Sequence, residues 1–302
     1  LSDIEKKSSF NATNLLDNIV GVQVDRQGAN RTNITLRDRV DIFQTSALVM
    51  LDYRDLSQAG LNLFDSGNTN LSMIDLERVV VVRGPQAALY GAGVGSGVVH
   101  YMSKDPFKHE GSTLQLQGGA IANSGSLLSG GNFNMKSVYF RHAVSNDEKT
   151  FGYKFNLRYS ENGTWDLSDS QKLSIFGASG SRTINDPLTG QSVGSSNQLS
   201  DIESKGVDAS LYYRPNNNFS FTAVAGMGST IGNASTSGTG EVFGDQNNHF
   251  VQFRVKSNDL FVQYNFTKNI PGNEGDEIGF NYRTGLVSYI ESTQSQLQVQ
   301  QE

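Results

Sequence analysis

From about residue 111 onward, apolar and polar residues alternate with a period of two, the spacing of a strand with one apolar face. Phe151, Tyr153, Phe155, Leu157 and Tyr159 share one side; Gly152, Lys154, Asn156 and Arg158 share the other. Val207, Ala209, Leu211 and Tyr213 repeat the pattern against Asp208, Ser210, Tyr212 and Arg214. Phe219, Phe221, Ala223, Ala225 and Met227 form another apolar row. Val251, Phe253 and Val255 oppose Gln252, Arg254 and Lys256, while Val262, Tyr264 and Phe266 oppose Gln263 and Asn265. Leu297 and Val299 begin one more. The pattern predicts about eight strands, near 112–122, 132–144, 151–162, 206–214, 219–228, 248–256, 260–267 and 292–302.

The first hundred or so residues read differently. Ser9 to Ile19 has the spacing of a short amphipathic helix, with Leu15, Leu16 and Ile19 on one face. Val22 to Asp25 and Asn33 to Arg37 alternate as strands, and Ser46 to Tyr53 is a third, more apolar one. Leu71 to Arg78 predicts one or two helical turns leading into the Val-rich strand Val79 to Val82. A strand over Gly97 to Ser103 follows a glycine-rich turn. The expectation is a small α/β domain over 1–109, incomplete at its N-terminus, and a strand-built region over 110–302, incomplete at its C-terminus.

The connections give the strands an environment. Tight turns at Ser145 to Thr150, Pro215 to Asn218 and Ser257 to Asp259 alternate with long polar loops near 163–205, 229–247 and 268–291. A transmembrane β-barrel has this rhythm, with short turns on one side of the bilayer and long loops on the other. A sandwich has no reason to keep it, although a soluble all-β domain also alternates polar and apolar faces. Trp165, with Tyr159 near it, falls where the third strand would leave the membrane, the place of an interfacial aromatic belt. No run of about 18 apolar residues is present to cross as a helix.

Composition narrows the function classes. The 32 glycines against 5 prolines suit many loops, and a net charge of −6 without a basic cluster disfavours nucleic acid as a partner. There is no cysteine, which removes disulfides, thiolate metal sites and thiol nucleophiles together. His100, His109, His142 and His249 are scattered without ligand spacing, so no metal site is expected. No catalytic constellation emerges, and no cofactor is expected.

One segment carries more. Leu76 to Phe107 reads LERVVVVRGPQAALYGAGVGSGVVHYMSKDPF. It resembles the plug-to-barrel junction of TonB-dependent outer-membrane receptors, in which an ERVEVxRGPxxALYGxGxxGGVI stretch precedes the first barrel strand. Glu77, Arg78, Arg83, Gly84, Pro85, Ala88, Leu89, Tyr90, Gly91, Gly97 and Val98 match in order. Upstream, LLDNIVGVQVDRQGANRTNITLR resembles the earlier plug stretch, and Met50 to Tyr53 stands in place of its VDG strand. FDSGNTNLSMIDLERV and Phe140 to Ala143 look most like receptors of the Bacteroidetes type. Two departures stand out: Asp38 replaces the usual glycine after Arg37, and Val80 replaces the usual glutamate. A phosphate or dinucleotide loop is a poor rival for the glycine run. The GxGxxG spacing is absent, no Lys-Ser/Thr follows, and the next segment reads as a strand.

The resemblance implies a Gram-negative outer-membrane protein, all-β in the membrane: a partial antiparallel barrel behind a plug. Plugged barrels of this kind close with about 22 strands, so eight should leave an open edge. It implies a receptor, not an enzyme, that binds an extracellular ligand and imports it on energy from the TonB complex. A siderophore, glycan, cobalamin or peptide all fit the family, with a surface lipoprotein as a further partner. The Asn- and Ser-rich loops lean towards a neutral oligosaccharide or peptide. Asn30, Arg31, Phe43 and Gln44 are the expected ligand contacts at the plug apices. Arg37, Arg78 and Arg83 are the expected charged contacts to barrel carboxylates. A non-transporting outer-membrane interaction or assembly component on the same scaffold remains the alternative, and a soluble β-rich enzyme a third.

Overall fold

The computed structural model describes residues 11–26, 32–38, 47–58, 63–64, 66–67, 69–85, 90, 94–119, 135–163, 182–185, 192–196, 202–231, 234–235, 242–243, 246–258 and 260–271. Six strands of the N-terminal part form two sheets, and a two-residue pair, Ser57–Gln58 with Leu63–Phe64, forms a third. β1 (Val22–Arg26) pairs antiparallel with β2 (Thr32–Leu36). A second sheet holds β3 (Ala47–Leu51), β4 (Arg54–Asp55), β5 (Leu76–Arg83) and β6 (Gly97–Ser103) in the order β4-β3-β6-β5. β3 and β6 run parallel, and the other two pairings are antiparallel.

Both expected helices shrink. The first is a 3-10 turn over Ala12–Leu16, capped by Asn11, whose side chain accepts from the Thr13 N–H. Asn18 and Gly21 then take positive φ, which ends the turn after five residues. The second is a 3-10 turn over Met73–Asp75. The valines that follow favour a strand, and they pull the chain into β5 from Leu76 onward. Tyr90 has helical backbone between β5 and the glycine run.

This domain has an ordinary core. Leu16, Ile34, Leu36, Val49, Leu56, Phe64, Leu76, Val99 and Tyr101 pack together, each at most 2% exposed. Gly97 shows why that position needs glycine. Its φ is +148°, and a Cβ there would run into the Val82 carbonyl.

Gly111, after the turn at residues 105–109, begins one antiparallel sheet. It holds β7 (Gly111–Gly119), β8 (Met135–Ser145), β9 (Phe151–Asn162), β10 (Ile202–Asn216), β11 (Phe219–Ile231), β12 (Gln246–Lys256) and β13 (Phe261–Pro271) in chain order. Seven of the eight predicted strands are therefore seen; the stretch 292–302 and Trp165 lie outside the described residues. Tight turns join β8 to β9, β10 to β11 and β12 to β13, and the long connections alternate with them. Two small hairpins, Arg182–Asn185 with Ser192–Ser196 and Ala234–Ser235 with Val242–Phe243, sit within the long connections. Among the described residues β7 and β13 each have one neighbour, so the sheet is open.

The sheet buries its polar side. In β9, Lys154, Asn156, Arg158, Ser160 and Asn162 are buried, whereas Phe151, Tyr153 and Leu157 are exposed. β10 repeats this, with Ser204, Asp208 and Ser210 in and Leu211 and Tyr213 out. Met227, Phe253, Val262, Tyr264 and Phe266 extend the exposed apolar face. A protein surrounded by water would turn these residues inward. The arrangement fits a wall with hydrocarbon outside and a polar lumen inside.

Candidate functional site

What fills the lumen side is the N-terminal domain, and the seat between them is the candidate site. Antiparallel register sorts the lumen-facing residues into rows across the wall. One row is Tyr139, Arg158, Gly206, Gly228 and Asn248. The next, two residues along each strand, is Arg141, Asn156, Asp208, Gly226 and Phe250. A third is Ala143, Lys154, Ser210, Val224 and Gln252. Polar, charged and very small residues make up most of these rows, with Tyr139, Phe250 and Val224 as the larger exceptions.

The upper row, nearest the long loops, takes the segment 66–70. Arg158 donates from Nη1 to the Ser66 carbonyl at 2.9 Å and from Nη2 to that of Gly67. Asn70 donates to the Val207 carbonyl at 2.6 Å. Gly206 makes room for it, since a Cβ there would collide with Asn70 Oδ1.

The middle row takes Asp75. Its Oδ1 accepts from Arg141 Nε at 2.7 Å. Its Oδ2 lies 2.7 Å from Lys154 Nζ and accepts from Asn156 Nδ2 at 3.0 Å. All four side chains are buried. Asn156 also donates to Asp208 at 2.9 Å, tying the two carboxylates together. Lys154 reaches further, donating to Ser103 Oγ at 2.8 Å and to the Lys104 carbonyl at 3.1 Å. At the far end of the row the Arg54 guanidinium lies 3.6 Å above the Phe250 ring. Arg54 is 2% exposed, and neither terminal nitrogen has a hydrogen-bond acceptor among the described residues. Burial lowers its pKa to about 10 against the attraction of Asp208, Asp52 and Asp55.

The lower end, beside the short turns, takes two further contacts. Asp105 pairs with Arg214 at 2.7 Å. The turn joining β3 to β4 presents the Asp52 carbonyl to Gln252 and Arg254 and the Tyr53 carbonyl to Gln263. Tyr53, Phe107, Arg214, Arg254, Lys256 and Phe261 help to line a gap of about 1060 Å³ at this end.

The residues singled out from the sequence fall in several places. Asn30, Arg31, Phe43, Gln44 and Gly91 lie outside the described residues. Arg78 and Arg83 make contacts within their own domain: Arg78 Nε with Met102 Sδ at 2.8 Å, and Arg83 with the Val20 carbonyl at 2.6 Å. Arg37 sits at φ 49° beside Gly21, its N–H bonded to the Gly21 carbonyl. Glu77 is exposed at the start of β5, Gly84 and Pro85 follow its end, and Gly97 opens β6. The described ion pairs across the seat run opposite to the expected sense, with carboxylates on the inner domain and cations on the wall. Alternation placed Lys154, Asn156 and Arg158 on one face of their strand and Asp208 on the polar face of its own, but left Asp75 unnoticed. Its one signal was a charge inside the apolar run Met73–Leu76.

Comparison with known proteins fits this geometry. Residues 2–98 match the TonB-dependent Receptor Plug Domain family. A stretch of 103 residues is 33% identical to a hemin receptor of Yersinia enterocolitica, covering 33% of this chain and 14% of that protein. Among solved structures, the siderophore receptor PirA of Acinetobacter baumannii superposes with a TM-score of 0.60 at 15% identity, over 92% of this chain and 41% of the other. The copper transporter OprC gives 0.55 at 17% identity, over 86% and 36%. At such identities the two structures speak for the fold alone. The chain spans about two-fifths of the length of the solved structures it matches.

Proposed function

We propose that residues 2–98, which match the TonB-dependent Receptor Plug Domain family, are the plug of an outer-membrane active-transport receptor, and that the strands after Gly111 are part of its β-barrel. The receptor binds a ligand from outside the cell and admits it when the TonB complex pulls on the plug. We place the plug–barrel junction at 109/110 and the short turns on the periplasmic side. Asn30, Arg31, Phe43 and Gln44 at the plug apices are the candidate ligand contacts. Iron chelates head the cargo candidates, because a hemin receptor is among its relatives. The Bacteroidetes character of the plug segment belongs to the same proposal, as does a surface lipoprotein partner.

The observation that carries this reading is the plug's seat on the polar face of a sheet whose apolar face points outward. Such a seat holds by hydrogen bonds and ion pairs, which a directed pull can break one after another. No covalent chemistry is required of it. The gap beside Tyr53 and Phe107 suits the exit of the path.

The test is uptake of radio-iron-labelled hemin and of a ferric catecholate siderophore by cells expressing the full-length receptor. Uptake of either probe that stops when TonB is deleted or the proton-motive force is collapsed is the expected result. Surface binding without energy-dependent uptake of either would overturn it in favour of a non-transporting interaction component on the same scaffold.

A further inference from the structure

His100 lies on β6, on the face turned from the main plug core, and is 2% exposed. Its Nε2 is an acceptor, taking the Tyr53 N–H at 3.1 Å. Tyr53 stacks edge-on against the imidazole with centroids 4.5 Å apart. Asp52 and Tyr53 both have positive φ, 47° and 67°, although neither is glycine. Two consecutive residues in that region persist only where surrounding contacts hold them. The contact for the Tyr53 amide is His100, and this same turn offers its carbonyls to Gln252, Arg254 and Gln263 of the wall.

We propose that His100 is an acid-sensitive catch, whose protonation at Nε2 replaces an acceptor by a donor and loosens the Asp52–Tyr53 turn from the barrel. The groups around it favour that outcome. On its own sheet it faces Met50 of β3 and Val80 of β5, both apolar. Burial holds its pKa below the ordinary 6.5, and Arg254 from β12 and Arg78 from β5 act the same way. Asp52 opposes them, but its two oxygens already accept from the Ser103 N–H and hydroxyl at 3.0 and 2.6 Å. A lowered histidine pKa means that the folded turn prefers the neutral ring. Its contribution is therefore complete above the ordinary imidazole value and is lost as pH falls below it. The periplasm has no tight proton barrier to the outside, so an acid medium would reach this catch directly. The proposal concerns docking of the plug and holds whatever cargo the receptor carries.

Hydrogen exchange of the full-length receptor in nanodiscs tests it. Exchange is followed in the peptide spanning residues 50–56 between pH 7.5 and pH 5, corrected for intrinsic amide chemistry. Wild-type protection of this peptide should fall tenfold or more across the range, while peptides of the plug core keep theirs. His100→Gln, whose amide oxygen accepts without titrating, should flatten the profile. Val80→Glu, placing a carboxylate across from the ring, should shift the transition to higher pH even if the glutamine variant fails to fold. A flat wild-type profile, or a Val80→Glu profile that transits at the wild-type pH, would overturn the proposal.

Discussion

Strand β6 of the plug turns Val99 and Tyr101 into a closed apolar core, while β9 of the barrel turns Lys154, Asn156 and Arg158 inward and leaves Phe151, Tyr153 and Leu157 outside. β9 alternates and buries only its polar half, whereas β6 is buried on both faces from Gly97 to Tyr101. Burial in the plug follows the removal of apolar area from water. Burial in the barrel follows the need to satisfy polar groups away from lipid. Two kinds of cohesion therefore meet at one boundary. The plug holds itself together by packing, and it is held in the barrel by directed polar contacts.

Asp75 is where the distinction is sharpest. Replacing it by asparagine leaves Arg141 and Lys154 buried beside a neutral partner. Removing one member of a buried ion pair costs about 3–5 kcal/mol. Asp75→Asn should therefore release the plug from the wall at much lower denaturant, while the wall itself unfolds near the wild-type midpoint. Limited proteolysis in a urea series, with separate plug and barrel peptides followed, reads both events. A further change of Lys154 to methionine should recover part of the loss by removing a stranded charge. Coincident loss of both parts would show that seat and wall are one cooperative unit.

The outer face provides the next test. Leu211 is 50% exposed on β10, pointing away from Asp208 and Ser210. An arginine there costs about 2–4 kcal/mol if the face meets the bilayer midplane, and much less if it meets water. Leu211→Arg should lower stability in reversible folding into lipid vesicles. The same change on a face bathed in solvent would be nearly silent, which would sink the inside-out assignment of the sheet.

Most of this wall was legible beforehand, because a period of two survives in any strand with unlike faces. Tyr153 and Lys154 had to point opposite ways wherever β9 ended up. The pattern cannot say which face is buried, and the rhythm of short and long connections supplied that. The plug was harder. Leu71 to Arg78 has apolar residues at helical spacing, yet the valines behind it and the pairing with β6 draw it into a strand. The helix expected over Ser9 to Ile19 is only a turn over Ala12–Leu16, because Asn18 and Gly21 bend the chain soon after it. The seat was least legible of all. Asp75 and Arg141 are 66 positions apart, and only the assembled fold brings them to 2.7 Å. The expectation that arginines of the plug would meet barrel carboxylates followed the motif, whereas Arg78 and Arg83 spend their contacts on Met102 and Val20.

The smallest effect belongs to a pair that resembles Asp75 in chemistry alone. Lys136 and Glu161 face each other across β8 and β9 near the long-loop end, with Nζ and Oε1 3.2 Å apart. Their side chains are 60% and 32% exposed, so water and salt screen the attraction. Lys136→Gln should cost about 0–1 kcal/mol, and less as salt is added. A double-mutant cycle with Glu161→Gln in the same vesicle assay measures it. A coupling as large as that of Asp75 with Lys154 would mean that this end of the wall is shielded from water, moving the boundary of the polar zone inward. A weak, salt-sensitive coupling would place it in the aqueous rim and leave burial, not charge pairing as such, as the source of the plug's hold.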